Sequence, residues 1–204
     1  MNKKSPFKKV LANPIGLAVV IYFAFTLILA LFGGLILRID PNNPDVLGVL
    51  QAPSSKHLLG TDSAGRDVLA RLIFGTRTTL LAALLVSITA MLVGVPTGLL
   101  AGYYGGKFDA IASWFANMFM SLPAMIVLLS VRATIGPSLF MSMLIFGLLI
   151  APGFFRLTRT AVMSVRNELY VDAARVSGLS DTRIIGRHIL TVVRAPLIIQ
   201  TAMV

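Results

Sequence analysis

Residues 15–37 run for 23 positions without one charged side chain, and no other feature restricts the fold so far. As a helix the run measures about 34 Å, enough to cross a hydrocarbon core of roughly 30 Å. Three more apolar runs follow, at about residues 78–101, 111–131 and 138–155. Each is continuous, unlike the alternating segments of roughly ten residues that build membrane barrels, so spanning helices are predicted. Composition points the same way, with 56% apolar and 13% charged side chains and a mean hydropathy of +0.86. Those values exclude a soluble globule and an intrinsically disordered chain. The absence of cysteine excludes a disulfide-stapled secreted domain. The predicted fold class is all-α, a polytopic transmembrane helix bundle.

Charge sets the expected topology. Lys3, Lys4, Lys8 and Lys9 precede the first run like the n-region of a signal peptide. The run is too long for an ordinary apolar signal region and no A-x-A site follows it, so an uncleaved anchor with a cytoplasmic tail over residues 1–14 is predicted. Residues 38–77 then form an external loop. Residues 156–190 return to the cytoplasm, and residues 189–204 begin a fifth span interrupted by Arg194. In this arrangement twelve cations are cytoplasmic: the four lysines, Lys107, Arg156, Arg159, Arg166, Arg175, Arg183, Arg187 and Arg194. Six are external: Arg38, Lys56, Arg66, Arg71, Arg77 and Arg132. The bias supports a cytoplasmic N-terminus. The net charge of +10 is therefore read as membrane orientation and lipid contact. Nucleic acid is not a predicted partner, because the cations fall between apolar runs and not on one aromatic-studded module.

No catalytic centre is predicted. His57 and His188 fall on opposite sides of the membrane, no zinc or nucleophile-elbow motif is present, and no acid lies within a predicted span. The stretch from Gly102 to Lys107 approaches a phosphate-binding loop. It fails because Ala101 stands where the first glycine is required and Phe108 where Ser or Thr is required. No cofactor, metal or nucleotide site is expected. Ala90, Gly94, Gly98 and Gly102 recur every four residues, a face on which a second helix can approach closely, within the bundle or from another subunit. In the external loop, Thr61, Asp62 or Ser63 can cap a helix whose apolar stripe is Val68, Leu69, Leu72 and Ile73. Spacing alone favours an interfacial linker over a docking surface. In the cytoplasmic segment, Asp172-Ala173-Ala174 favours a helix start and Gly178 a turn, with Ser180 or Asp181 capping a second short helix. Such a basic corner rests on anionic lipid or inserts into a groove of a soluble partner.

These segments resemble a known family. Asp172-Ala173-Ala174, Gly178 and His188-Ile189-Leu190-Thr191 resemble the EAA loop of binding-protein-dependent ABC importer permeases, with Asp for Glu and with His and Thr for the consensus Ile and Pro. His57-Leu58-Leu59-Gly60-Thr61-Asp62 through Gly65-Arg66-Asp67-Val68-Leu69, and residues 98–106, are similar to the dipeptide, oligopeptide and nickel subfamily, C-type subunit. The resemblance implies a type I ABC importer permease with about five of six expected helices present, so that the chain looks truncated. It implies a multi-pass protein of a bacterial-type plasma (inner) membrane, not itself an enzyme. Its implied partners are a second permease subunit, two cytoplasmic ATPase subunits and an external solute-binding protein. Asp172, Ala173, Ala174, Gly178, Arg187 and His188 would couple to the ATPases. Gly60, Thr61, Asp62, Gly65, Arg66 and Asp67 are external docking candidates. The alternative is a truncated, non-transporting membrane anchor or assembly subunit. Dipeptide, oligopeptide, nickel and glutathione systems share these motifs.

Overall fold

The computed structural model describes residues 10–36, 40–43, 45 and 48–203. Lys3, Lys4, Lys8, Lys9 and Arg38, which enter the charge count, lie outside the described residues, as do Leu37 and Val204. Among the described residues the protein is helical, with an isolated bridge between Thr61 and Asp67 and no strand. The helices are α1 (Pro14–Ile36), α2 (Val68–Tyr104), α3 (Gly106–Ser121), α4 (Ala124–Ile135), α5 (Leu139–Val165), α6 (Leu169–Val176), α7 (Asp181–Ile184) and α8 (Leu190–Ala202). A π-helical turn, Ile185–Ile189, joins α7 to α8. By length and composition α1, α2 and α5 can each cross a membrane, and α3 with α4 makes a fourth if that bent pair is one span. The fold is an all-α polytopic bundle.

The chain divides into two compact units, Met1–Leu81 and Ala82–Val204. In the first, most of α1 turns bare apolar side chains outward, Ile21, Tyr22 and Phe23 among them, as a lipid-facing helix must. Gly33 of α1 is seated against Ile73 of α2, with no room for a methyl group. The amphipathic stripe predicted within the loop is not a separate helix. It is the beginning of α2, which starts ten residues ahead of the apolar run. A helix can extend beyond the bilayer into water, where Arg71 and Arg77 are no obstacle to it.

In the second unit α5 is the hub. Phe154 and Val162 are fully buried against Val171 and Ala174 of α6, Ile184 of α7, and Val193 and Leu197 of α8. The apolar run at 111–131 is not one straight helix. α3 and α4 meet at 79°. The cause is Pro123, whose ring drives Leu122 out of the α region, to φ −82° and ψ 124°. Gly136, at φ +94°, ends α4, and Ser138 caps α5 by accepting the Met141 N–H at 3.3 Å.

Candidate functional site: an elbow fastened to the bundle

After α5 the chain folds into an elbow made of α6, a glycine turn and α7. Helix α6 is amphipathic over only eight residues. Val171 and Ala174 enter the core, while Leu169 and Val176 stand 86% and 90% exposed. The helix ends in a Schellman motif: the Gly178 N–H donates to Arg175 O at 2.9 Å and the Leu179 N–H to Ala174 O at 3.2 Å. That closure needs a left-handed residue at position 178, and Gly178 has φ +76°. The interval from Ala174 to Gly178 is therefore set by the geometry of a helix end. The extra residue of the π-helical turn then brings Ile189 onto the same buried side as Ile184, ahead of Val193 and Leu197.

Polar ties hold this elbow to the ends of other helices. The Tyr103 hydroxyl, one residue before the end of α2, donates to Asp181 Oδ1 at 2.7 Å. The Arg175 guanidinium lies 5.4 Å from the centre of the Tyr103 ring, a cation–π arrangement, and donates to Asp172 at 2.9 Å. The neighbouring Tyr103 hydroxyl raises the pKa of Arg175 above its ordinary value. Arg166 Nη1 donates to the Gly102 carbonyl at 3.1 Å, satisfying a carbonyl that the end of α2 leaves open. Asp109 of α3 pairs with Arg159 of α5, with Nη2 at 2.6 Å from Oδ2.

Four of the six inner candidates lie in the elbow, and Arg187 and His188 lie in the π-helical turn that follows it. Asp172, Ala173, Gly178 and Arg187 are exposed, Ala174 is buried, and His188 is half-buried. His188 Nδ1 is buried without a hydrogen-bond partner. Ala90 is buried, and Gly94, Gly98 and Gly102 of α2 lie against α5. A Cβ on Gly98 would sit 2.7 Å from Phe155 O, and one on Gly102 2.7 Å from Val162 Cβ. The outer candidates form a separate, self-bonded turn. Asp62 accepts from the Ala64 and Arg66 N–H groups at 2.8 and 3.0 Å and from the Arg66 and Arg71 side chains. The Arg66 N–H above all holds its carboxyl far below the usual carboxylate range. The helix cap is not Thr61, Asp62 or Ser63: Asp67 accepts from the Ala70 N–H at 2.8 Å and from His57 Nδ1 at 2.9 Å. Burial opposes ionisation of Asp67, but these bonds outweigh it and its pKa is lowered. Thr61 bonds to Gly48 O and Gln51 N. Gly60 and Gly65 have φ near +75° and make the sharp bends. The polar atoms of Thr61, Asp62 and Asp67 are thus engaged within the segment.

An apolar cavity of about 360 Å³ lies among α2, α3 and α5, lined by Phe108, Phe115, Phe119 and Phe155 with Thr97 as its polar member. The Thr97 hydroxyl is bonded to Val93 O at 2.6 Å. The cavity offers no charged partner to a zwitterion. Sequence reasoning missed the Tyr103–Asp181 and Asp109–Arg159 pairings. The partners lie 78 and 50 residues apart, beyond any helical period.

Residues 94–204 match the family described as "Binding-protein-dependent transport system inner membrane component". The chain belongs to this family. Relatives of this inner-membrane component include the "Probable D,D-dipeptide transport system permease protein DdpC" of Escherichia coli strain K12, 33% identical over 94% of this chain and 64% of that protein. The dipeptide permease protein DppC of Alkalihalophilus pseudofirmus is 30% identical over 98% of this chain and 66% of its own length. The glutathione permease protein GsiD of Pectobacterium atrosepticum is 34% identical over 69% and 46%. The chain spans about two thirds of the length of the two dipeptide relatives. Family and apolar helices together make it a multi-pass inner-membrane protein. The matched region holds the glycine seam and the whole elbow.

Proposed function

We propose that this chain is a membrane-spanning permease subunit of an ATP-driven importer for peptides or similar small solutes. Its N-terminus and its elbow face the cytoplasm. Separate ATPase subunits hydrolyse ATP and close on the elbow. A second permease subunit completes the path, and an external solute-binding protein delivers the solute. The names of the dipeptide and glutathione relatives support the solute class. One observation carries the coupling role: a short helix pair, bent at Gly178, exposes Leu169 and Val176, and the same stretch of chain exposes Arg175, Arg183 and Arg187. Exposed apolar side chains rimmed by cations suit insertion into a protein groove. The inner candidates differ in what they contribute. Ala174 and Gly178 build the bend, and Asp172 and Arg187 lie on its surface. On the outer side, docking would rest on the shape set by Gly60 and Gly65, since the side chains of Asp62, Arg66 and Asp67 are already engaged.

The chain has no cysteine, so single thiols report cleanly. In a complex assembled with its ATPase subunits, Leu169→Cys and Val176→Cys are expected to cross-link to an ATPase subunit through a short bifunctional maleimide. Leu92→Cys, exposed on α2, should not. An ATP-hydrolysing complex in which neither elbow position cross-links would overturn the coupling role.

A further inference from the structure

We infer that Tyr103 is a positioning residue whose hydroxyl locks the elbow to the end of α2, so that α2 and the elbow move as one body. Its setting on the elbow side rests on the function proposed above, but the lock itself stands on geometry alone. The chain leaves the bundle at Arg166 and re-enters it at Ile184, so the backbone tethers the elbow to α5 and α8 only. Nothing covalent joins the elbow to α2. Tyr103 supplies that link twice over, through its hydroxyl to Asp181 at the start of α7 and through its ring face to Arg175 near the end of α6. It therefore touches both arms of the bend, on either side of Gly178, the point where the bend would otherwise open. The Tyr103 residue is 8% exposed, while its two partners, Asp181 and Arg175, are exposed side chains of the elbow. One residue earlier Arg166, which caps the end of α5, bonds the Gly102 carbonyl and so joins α5 to the same end of α2. Gly102 is also the last small residue of the face on which α2 meets α5. A push on the elbow therefore arrives at α2 where it slides on α5.

The test uses the full chain in its assembled complex, with spin labels at Leu100→Cys on α2 and Val176→Cys on the elbow, and pulsed-dipolar distance measurement. The parent is expected to give one narrow distance peak. Tyr103→Phe, which deletes the hydroxyl and leaves the ring against Arg175, should broaden it. Asp181→Ala should broaden it equally, and the double variant should be no worse than either single one. Asp181→Asn, which keeps an accepting oxygen, should retain the peak. A narrow, unshifted peak in Tyr103→Phe overturns the lock. Uptake of radiolabelled alanyl-alanine per ATP hydrolysed supplies the second readout. Tyr103→Phe should lower that ratio several-fold, whereas a merely destabilising change would lower uptake and hydrolysis together. An unchanged ratio would overturn the positioning role. A parent complex that hydrolyses ATP without uptake contradicts the proposed function instead, and the distance measurement still decides the lock.

Discussion

Gly98 leaves no room for a side chain in the seam. A methyl group there would meet Phe155 O at 2.7 Å and Thr158 Cβ at 2.8 Å, a backbone atom and a β-branched stem, neither of which can swing aside. Gly98→Ala is expected to destabilise the chain by about 1–3 kcal/mol through overpacking. Gly75 of α2 faces open space, with nothing within 4 Å. Gly75→Ala should be stabilising by about 0.4–1 kcal/mol, because the glycine loses more freedom on folding. Reversible unfolding in mixed micelles compares the two. Asp62 makes a prediction about pH. Its folded pKa is depressed, chiefly by the Arg66 N–H. The stability it contributes is present in full above the ordinary carboxylate value of about 4 and is lost as pH falls below it. Exchange of the Ala64 and Arg66 amides should therefore accelerate below that pH beyond its intrinsic rate, and Asp62→Asn should abolish this dependence. The spacing of Ala90, Gly94, Gly98 and Gly102 was readable from the chain because helix pitch puts such residues on one face. That α5 would occupy the face was not, because every apolar run is an equal candidate for it.

Short helices in the elbow owe their existence to their ends. A Cβ at Gly178 meets nothing within 4 Å, so substitution there tests backbone conformation alone. Gly178→Val is expected to cost about 1–2 kcal/mol in the left-handed region, and Gly178→Asn much less. If the bend carries force, uptake per ATP should fall in Gly178→Val and hold in Gly178→Asn, while membrane insertion, measured by the amount of chain in the membrane fraction, stays the same in both. Equal ratios in the two variants would separate the bend from coupling. The turn at Gly178 was legible, since few other residues take a positive φ readily. The π-helical turn was not, because it follows from Ile184, Ile189, Val193 and Leu197 all seeking one core. The continuity of the stripe at Val68 with the span that follows was also missed. Arg71 and Arg77 end an uncharged run, yet Asp67 caps a helix that runs through both. A kink at Pro123 was legible within the apolar run from 111 to 131, but its angle of 79° was not.

Across the whole chain, the all-α bundle was legible because a bilayer accepts few alternatives to a helix. Charge does more at this level than at any single site, since the excess of cations between spans sets which side each loop occupies. It also explains why a membrane bundle with so few acids commits several of them, Asp62, Asp67, Asp109 and Asp172, to structural pairs with nearby cationic side chains or histidine. The proposed function requires the elbow and the His57–Asp67 turn to lie on opposite faces of the membrane. Side-specific labelling tests this most directly, with a membrane-impermeant maleimide applied to intact spheroplasts and then to inverted vesicles, on chains carrying either Ser55→Cys or Val176→Cys. The account predicts that Ser55→Cys labels in spheroplasts and Val176→Cys only in inverted vesicles. Labelling of Val176→Cys in intact spheroplasts would contradict it.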